Sequence, residues 1–463
     1  MIADGIAALA EGLRRGEITS EGLVAAAVRE IQKHHAHGGV AYVSVDIEQS
    51  LQRARESDRM RTAGYALSDI AGLPIAVTDA FDVEGQITRA ASRARDDVLP
   101  AASDALVIAR LKKAGAVLLG RTNMSEFALS CLGTNAHFGT PTLPMDSKRI
   151  VGGAGSGLAV AVAMGMAVAG VGTDTQGSIR IPAAFCGLTG FKPSANRIST
   201  QGVFPLSPTL DSVGSIARCV DDCALLDAVM SGERGELGSQ PLAGLRLAVT
   251  SDYVLDGVDA MVGSAFKRVL RLLTDAGADI RWFEFPELDA LSRINESGGF
   301  VAVEAWYQHR QFLEGAAQAH YDPIVVERLR QGQALSAYDY LDLLAERRRL
   351  IDVARSRLES VDAWLMPTVP ISAPRLDELQ HDRAGTVYFE RDAQARRNTS
   401  VVNFLDGCAV TLPCQEPGDL PVGLSVVGLN GRDESILRSA RAIETLLREA
   451  TATAHAGVHH AAG

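Results

Sequence analysis

The residues with the clearest chemical potential lie in a glycine-rich stretch that ends in the sequence GTDTQGSIR. Ser178 follows Gly177 in a polar turn after the apolar run AVAGVG. Glycine lets backbone amides approach a ligand closely, and successive N–H groups in such a turn form a cradle for a developing oxyanion. A serine there is a candidate nucleophile for acyl transfer. The same pattern is also typical of a serine that caps a turn, or of a loop that binds phosphate.

The elements around this turn follow from the spacing of apolar and glycine residues. Ten of the 44 glycines fall within residues 151–190. The apolar run 158–171 is shorter than the roughly 20 residues that span a bilayer, so it predicts a buried helix that leads into a strand. The pattern predicts a helix followed by a strand at 103–124 and a strand–helix–strand unit at 245–285, and residues 287–358 are mainly helical in pattern. This alternation predicts an α/β fold.

Length and composition limit the class of protein. The chain has 463 residues, 47% of them hydrophobic, and a formal net charge of −11. The apolar fraction predicts a globular core. The acidic balance, without basic blocks, argues against binding to nucleic acid or to a membrane surface. The N-terminus lacks the pattern of a signal peptide, and the six cysteines form no metal-binding spacing. We therefore expect a cytoplasmic protein without a metal site.

We expect one domain over residues 1–450. Its core comprises residues 65–230 and 360–447, with a mainly helical insertion at 287–358. The segment 451–463 lacks periodicity and is predicted to be a disordered tail.

The glycine-rich stretch resembles the amidase signature family, the Ser–cis-Ser–Lys amidohydrolases. The resemblance rests on TDTQGSIRIPAAFCGLTGFKPS, on the preceding RIVGGAGSGLAVAVA and on GLPIAVTDAFDVEG. It continues through RTNMSEFALSCLGTNAHFGTPTLP, TLDSVGSIARCVDDCALL and DAWLMPTVPISAP, and covers about residues 5–447. It implies a large mixed β-sheet surrounded by helices, and an enzyme that hydrolyses or transfers acyl groups of amides without metal or organic cofactor.

The resemblance also implies the roles of particular residues. The nucleophile maps onto Ser178, and the oxyanion hole maps onto Thr175, Gln176, Gly177 and Ser178. Asp174 and Arg180 match the pair that supports this loop, and we interpret them as an ion pair. Lys192 matches a lysine outside the triad, for which we expect a scaffold role.

Two catalytic positions depart from the family pattern. The relay serine, which the family holds in a cis peptide, is Ala154 here, and the base lysine is Thr78. The neighbouring positions Val151 and Gly155 also differ from the usual residues, which favours natural divergence over engineered inactivation. Serine needs a base to become a nucleophile, and the loss of a positioned base costs roughly 10²–10⁴ in rate. Because triad members act as a unit, the second loss adds less than the first.

Other residues could replace the lost groups. Ser156 lies two residues beyond Ala154, although the pattern also suits a turn or a helix N-cap. Cys131 is a candidate nucleophile and His137 a candidate base, although both also suit core or pocket lining. Asp79 follows Thr78, but strand alternation directs it to the opposite face.

Two functions remain open from the sequence. The first is Ser178-centred acyl transfer or hydrolysis on a small amide or acyl substrate, with weak or altered activity. The second is a non-catalytic amidase-like protein that binds a ligand or a partner subunit. The sequence favours the enzyme, because the turn with Ser178, Asp174 and Arg180 is intact. A homodimer is the general expectation for a soluble enzyme.

Overall fold

The computed structural model describes residues 2, 4–233, 237–381 and 385–461. In this part of the chain, one mixed eleven-stranded sheet dominates, in the order β1-β3-β2-β6-β8-β7-β12-β13-β11-β9-β10, and β4 and β5 form a separate pair. The strands are β1 Tyr42–Val45, β2 Pro74–Thr78, β3 Val117–Thr122, β4 Thr142–Leu143, β5 Asp146–Ile150, β6 Ala169–Asp174, β7 Thr189–Lys192, β8 Ser212–Ala217, β9 Arg246–Val249, β10 Asp279–Trp282, β11 Ala363–Pro367, β12 Cys408–Pro413 and β13 Gly423–Gly428.

Helices cover the sheet. They are α1 Ile6–Arg14, α2 Ser20–Ala36, α3 Ile47–Thr62, α4 Leu106–Lys113, α5 Ser156–Ala163, α6 Arg180–Cys186, α7 Val220–Ser231, α8 Ala260–Asp275, α9 Ala290–Glu296, α10 Gly299–Leu313, α11 Pro323–Gln331, α12 Ala337–Leu358, α13 Leu376–His381, α14 Thr386–Phe404 and α15 Asp433–Ala461. The expected mixed sheet with surrounding helices is confirmed. None of the described helices is long and apolar enough to cross a membrane.

The middle of the sheet is apolar because helices cover both of its faces. Every residue of β2 and β6 is buried, as expected for strands covered on both sides. The apolar run 158–171 forms α5 and the start of β6, as its length predicts. Gly170 in β6 lets the helix α5 pack closely against this strand, because a Cβ at position 170 would lie 2.3 Å from Leu158 Cδ1 in α5.

Two neighbouring parallel strands, β2 and β6, bring the predicted site residues to one edge of the sheet. β2 pairs with β6 in parallel, with Val77 opposite Val171. Thr78 ends β2 and Asp174 ends β6. The carboxyl ends of parallel strands lie at the same edge, where α/β proteins place their ligands.

The helix α15 continues through residues 451–461, where a disordered tail is predicted. The segment is rich in alanine, the residue with the highest helix propensity, so it extends the helix that precedes it. Residues 462–463 of the predicted tail lie outside the described residues.

Candidate active site

Ser178 lies between the end of β6 and the start of α6, and it is 3% exposed. Its carbonyl accepts a hydrogen bond from the amide of Gly155, at 3.0 Å. Gly155 adjoins Ala154, and the peptide bond Gly153–Ala154 is cis. The fold therefore brings the predicted nucleophile and the loop of the predicted relay position into direct contact.

The segment 174–180, here called the Ser178 turn, is built around a buried ion pair. Asp174 and Arg180 have fully buried side chains, and Arg180 Nη2 lies 2.9 Å from Asp174 Oδ1. Asp174 also accepts from Arg180 Nε, at 3.0 Å, and from the amides of Gly177 and Ile179. Burial alone raises the pKa of the Asp174 carboxyl, but the Arg180 guanidinium holds it below its ordinary value. The pair is placed as the resemblance implies.

The helix α14 holds the outer side of the Ser178 turn. Asn403 Nδ2 donates to the carbonyl of Asp174, at 2.9 Å, and Asn403 Oδ1 accepts from Arg180 Nη2. Thr399 Oγ1 donates to the carbonyl of Gln176, at 2.5 Å. These contacts join residues more than 200 positions apart, and pattern analysis did not find them. The signal in the sequence is a row of polar residues at helical spacing.

Gly177 is required by the shape of the turn. Its φ is +125°, and a Cβ there would lie 2.3 Å from Thr399 Oγ1. Its amide donates to Asp174 Oδ1, at 2.8 Å. The expectation that this amide serves the oxyanion hole therefore needs correction, because the amide is already committed inside the turn. The amides of Thr175, Gln176 and Ser178 remain the predicted donors.

Sequence reasoning also missed Asp211. Thr175 Oγ1 donates to Asp211 Oδ1, and the amides of residues 206 and 207 donate to Asp211 Oδ2. Burial raises the pKa of the Asp211 carboxyl to about 7, although these hydrogen bonds act in the opposite direction. Asp211, which directly precedes β8, thus holds Thr175, which directly follows β6.

The second part of the site, here called the Thr78–Ala154 region, comprises Thr78, Ala154 and Ser156. Thr78 is 2% exposed, and its Oγ1 has no hydrogen-bond partner among the described residues. Ala154 packs in an apolar cluster with Ala80, Ala91 and Met124. A hydroxyl without a partner and a methyl group supply no general base in this region.

Ser156 begins α5 and is fully buried. Its Oγ has no hydrogen-bond partner among the described residues, and the N-cap of α5 is Gly155. The interpretation of Ser156 as a helix cap is therefore wrong. No hydrogen bond of the described structure joins its hydroxyl to Ser178.

Cys131 and His137 occupy separate environments. Burial raises the pKa of the Cys131 thiol, which disfavours the reactive thiolate. The Cys131 carbonyl accepts from the amide of Gly153, at 2.9 Å. His137 Nε2 lies 2.9 Å from Glu126 Oε1, which also accepts from Ser92 Oγ. The described hydrogen bonds do not join Cys131 to His137 as nucleophile and base.

Two further charged residues have structural partners. Asp79 forms an ion pair with Arg121, at 3.2 Å, and accepts from the amide of Ala91. Lys192 Nζ donates to the carbonyls of Pro193 and Gly407, at 2.6 and 2.7 Å. The contacts of Lys192 fit the scaffold role that we expect for this residue.

The structure is thus an α/β protein with a mixed sheet and with a buried serine, Ser178, on a turn at the end of β6. A family profile described as Amidase matches residues 22–437. The chain is 32% identical to the 2-amino-5-chloromuconic acid deaminase of Comamonas testosteroni, over 94% of each protein. It is also 32% identical to one subunit of the glutamyl-tRNA(Gln) amidotransferase of Moorella thermoacetica, over 94% of this chain and 95% of the relative.

A crystal structure of an amidase superposes with a TM-score of 0.87 at 32% identity, covering 96% of this chain and 99% of that one. The protein belongs to the amidase family. Hydrolase activity on amide C–N bonds is the reaction class that these comparisons support, and they do not favour a non-catalytic role.

Proposed function

We propose that the protein is an amidase-family hydrolase or acyltransferase in which Ser178 attacks the carbonyl of a small amide or acyl substrate. Attack forms the Ser178–acyl bond and releases the amine, and water or a second acceptor then takes the acyl group. The observation that carries the proposal is the set of hydrogen bonds that Asp174, Arg180 and Asn403 make within the Ser178 turn. A preorganised turn of this kind stabilises a developing oxyanion.

The Thr78–Ala154 region sets the expected rate. Its members lack both the base and the relay hydroxyl of the family, so the proton of Ser178 passes to water or to the substrate itself. A missing general base lowers the rate by roughly 10²–10⁴. We therefore propose weak or altered activity. This activity is most readily measured on amides that have good leaving groups.

A serine-reactive fluorophosphonate tests the proposal. We expect an adduct at Ser178 by mass spectrometry. The adduct disappears in Ser178→Ala and persists in Ser156→Ala, a matched variant that removes a buried hydroxyl from the first residue of α5. No adduct on the folded wild-type protein, together with tight binding of a small amide, would overturn acyl transfer in favour of a binding protein. The cytoplasmic location and the homodimer stay predictions.

A further inference from the structure

One face of α14 borders both parts of the site. Polar residues follow at intervals of three or four, which places them on a common helix face. They are Tyr388, Asp392, Arg396, Thr399 and Asn403. Thr399 and Asn403 hold the Ser178 turn. Asp392 Oδ1 accepts from the amide of Cys131, at 2.8 Å, and the carbonyl of Cys131 holds the amide of Gly153.

Arg396 lies between these two sets of contacts. It is one helical turn before Thr399, whose hydroxyl bonds the carbonyl of Gln176. It is one turn after Asp392, whose carboxylate holds Cys131. Residues three and four apart on a helix have Cβ atoms about 5–6 Å apart. The Arg396 side chain therefore starts from the same helix face as the contacts to the Ser178 turn and to Cys131.

The charges on this face do not balance. The Asp392 side chain is fully buried and faces two guanidinium groups, those of Arg328 and Arg396. Burial raises the pKa of the Asp392 carboxyl, but these two cations hold it below its ordinary value. Arg328 uses one terminal nitrogen on Asp392 and the other on the carbonyl of Leu129. One carboxylate for two guanidinium groups leaves one positive charge.

That charge resides on Arg396. Its Nε makes one long contact with Asp392 Oδ2, at 3.4 Å. Among the described residues, neither terminal nitrogen of Arg396 has a hydrogen-bond partner. Both nitrogens are accessible to solvent. The side chain is 14% exposed, so the free end of the guanidinium group is held in a mostly enclosed position.

We propose that the terminal nitrogens of Arg396 bind a carboxylate of the substrate, so that the site takes an amide of a carboxylic acid. The proposal rests on the proposed function, because Ser178 supplies the position of the reacting carbonyl. A guanidinium group presents paired N–H donors in a planar fork that matches a carboxylate. Such charge-assisted bonds are about twice as strong as neutral ones. The resemblance and pattern analysis gave Arg396 no role.

Binding to the Ser178→Ala protein tests the proposal without turnover. Titration calorimetry compares succinamate and glutaramate, which carry a carboxylate, with the neutral amides butyramide and valeramide. We expect tighter binding of the acids. In the Ser178→Ala protein, Arg396→Gln weakens binding of the acids about 10- to 100-fold and changes binding of the neutral amides less than about twofold. Arg396→Lys keeps the charge without the fork, so it recovers part of the loss.

The matched control is Arg391→Gln. Arg391 lies on the same helix, but its guanidinium group is paired with Glu378 Oε1, at 2.6 Å, so we expect this change to leave the preference for acids intact. Arg396→Gln keeps Asp392 paired with Arg328, so the protein should fold. Equal binding of acids and neutral amides, or an equal loss for both in Arg396→Gln, would overturn the proposal and leave Arg396 as a partner of Asp392 alone.

The two proposals fail separately. A Ser178 adduct without a preference for acids keeps acyl transfer and overturns the role of Arg396. A preference for acids that Arg396→Gln removes, without any Ser178 adduct, supports the carboxylate site and overturns acyl transfer.

Discussion

The Ser178 turn and the Thr78–Ala154 region meet at the same edge of the sheet but differ in their polar contacts. Asp174 in the turn accepts from backbone amides and from Arg180, and its own carbonyl is bonded by Asn403. Thr78 and Ser156 in the other region have buried hydroxyls without partners among the described residues. The two regions therefore differ in how many hydrogen-bond partners their buried polar side chains have.

The largest expected effect concerns the ion pair of the turn. Asp174→Ala leaves Arg180 buried without its counter-charge, and removal of one partner of such a pair costs about 3–5 kcal/mol. We expect this loss in the free energy of unfolding by urea denaturation, together with loss of the Ser178 adduct. A loss below about 1 kcal/mol would mean that the pair contributes no more than a surface ion pair, and the contrast between the two regions would disappear.

The second prediction concerns two substitutions in the Thr78–Ala154 region. Thr78→Lys combined with Ala154→Ser places lysine and serine at the positions that the resemblance assigns to the base and the relay. We expect hydrolysis of an activated anilide and the rate of fluorophosphonate labelling to rise by roughly 10²–10⁴. Thr78→Lys alone is the control, and we expect a smaller gain because the relay is absent. A folded double variant without any gain would show that the pocket, as well as the triad, has changed.

The third prediction concerns the pH dependence of stability through Asp211. Its pKa is raised to about 7 in the folded protein from an ordinary value of 3.8. Between these values the folded state binds a proton that the unfolded state lacks, so this group's contribution to stability falls as pH rises from about 4 to 7. Asp211→Asn should remove that part of the slope in denaturation measured across this range. An unchanged slope would mean that Asp211 is ionised in the folded protein at low pH.

The smallest effect is expected at Thr78. Thr78→Val removes a buried hydroxyl that has no partner among the described residues, so we expect stability to stay within about 1 kcal/mol of wild type or to rise. The matched control is Thr122→Val on the neighbouring strand, where Oγ1 donates to the carbonyl of Val77, at 3.3 Å; there we expect a loss of about 1 kcal/mol. A larger loss at Thr78 than at Thr122 would show that the Thr78 hydroxyl has a partner in solution.

Local patterns predicted much of the fold. The apolar run 158–171 predicts a buried helix and strand because its length and composition suffice, and both form. The interpretation of Ser156 as a cap failed for a local reason, since Gly155 takes that position. The structure includes residues 451–461 in α15, which fits the high helix propensity of alanine, and the tail at 451–463 stays a prediction.

The sequence by itself indicated the family, and it predicted Ser178 as the nucleophile and departures at positions 78 and 154, because each inference depends on residue types at fixed short spacing. Only the tertiary structure decided which groups surround that serine. The Gly177 amide donates to Asp174, and no described hydrogen bond joins Cys131 to His137. The helix α14 contacts a turn more than 200 residues earlier in the chain. Such contacts depend on the order of strands in the sheet and on helix packing, which local periodicity does not encode.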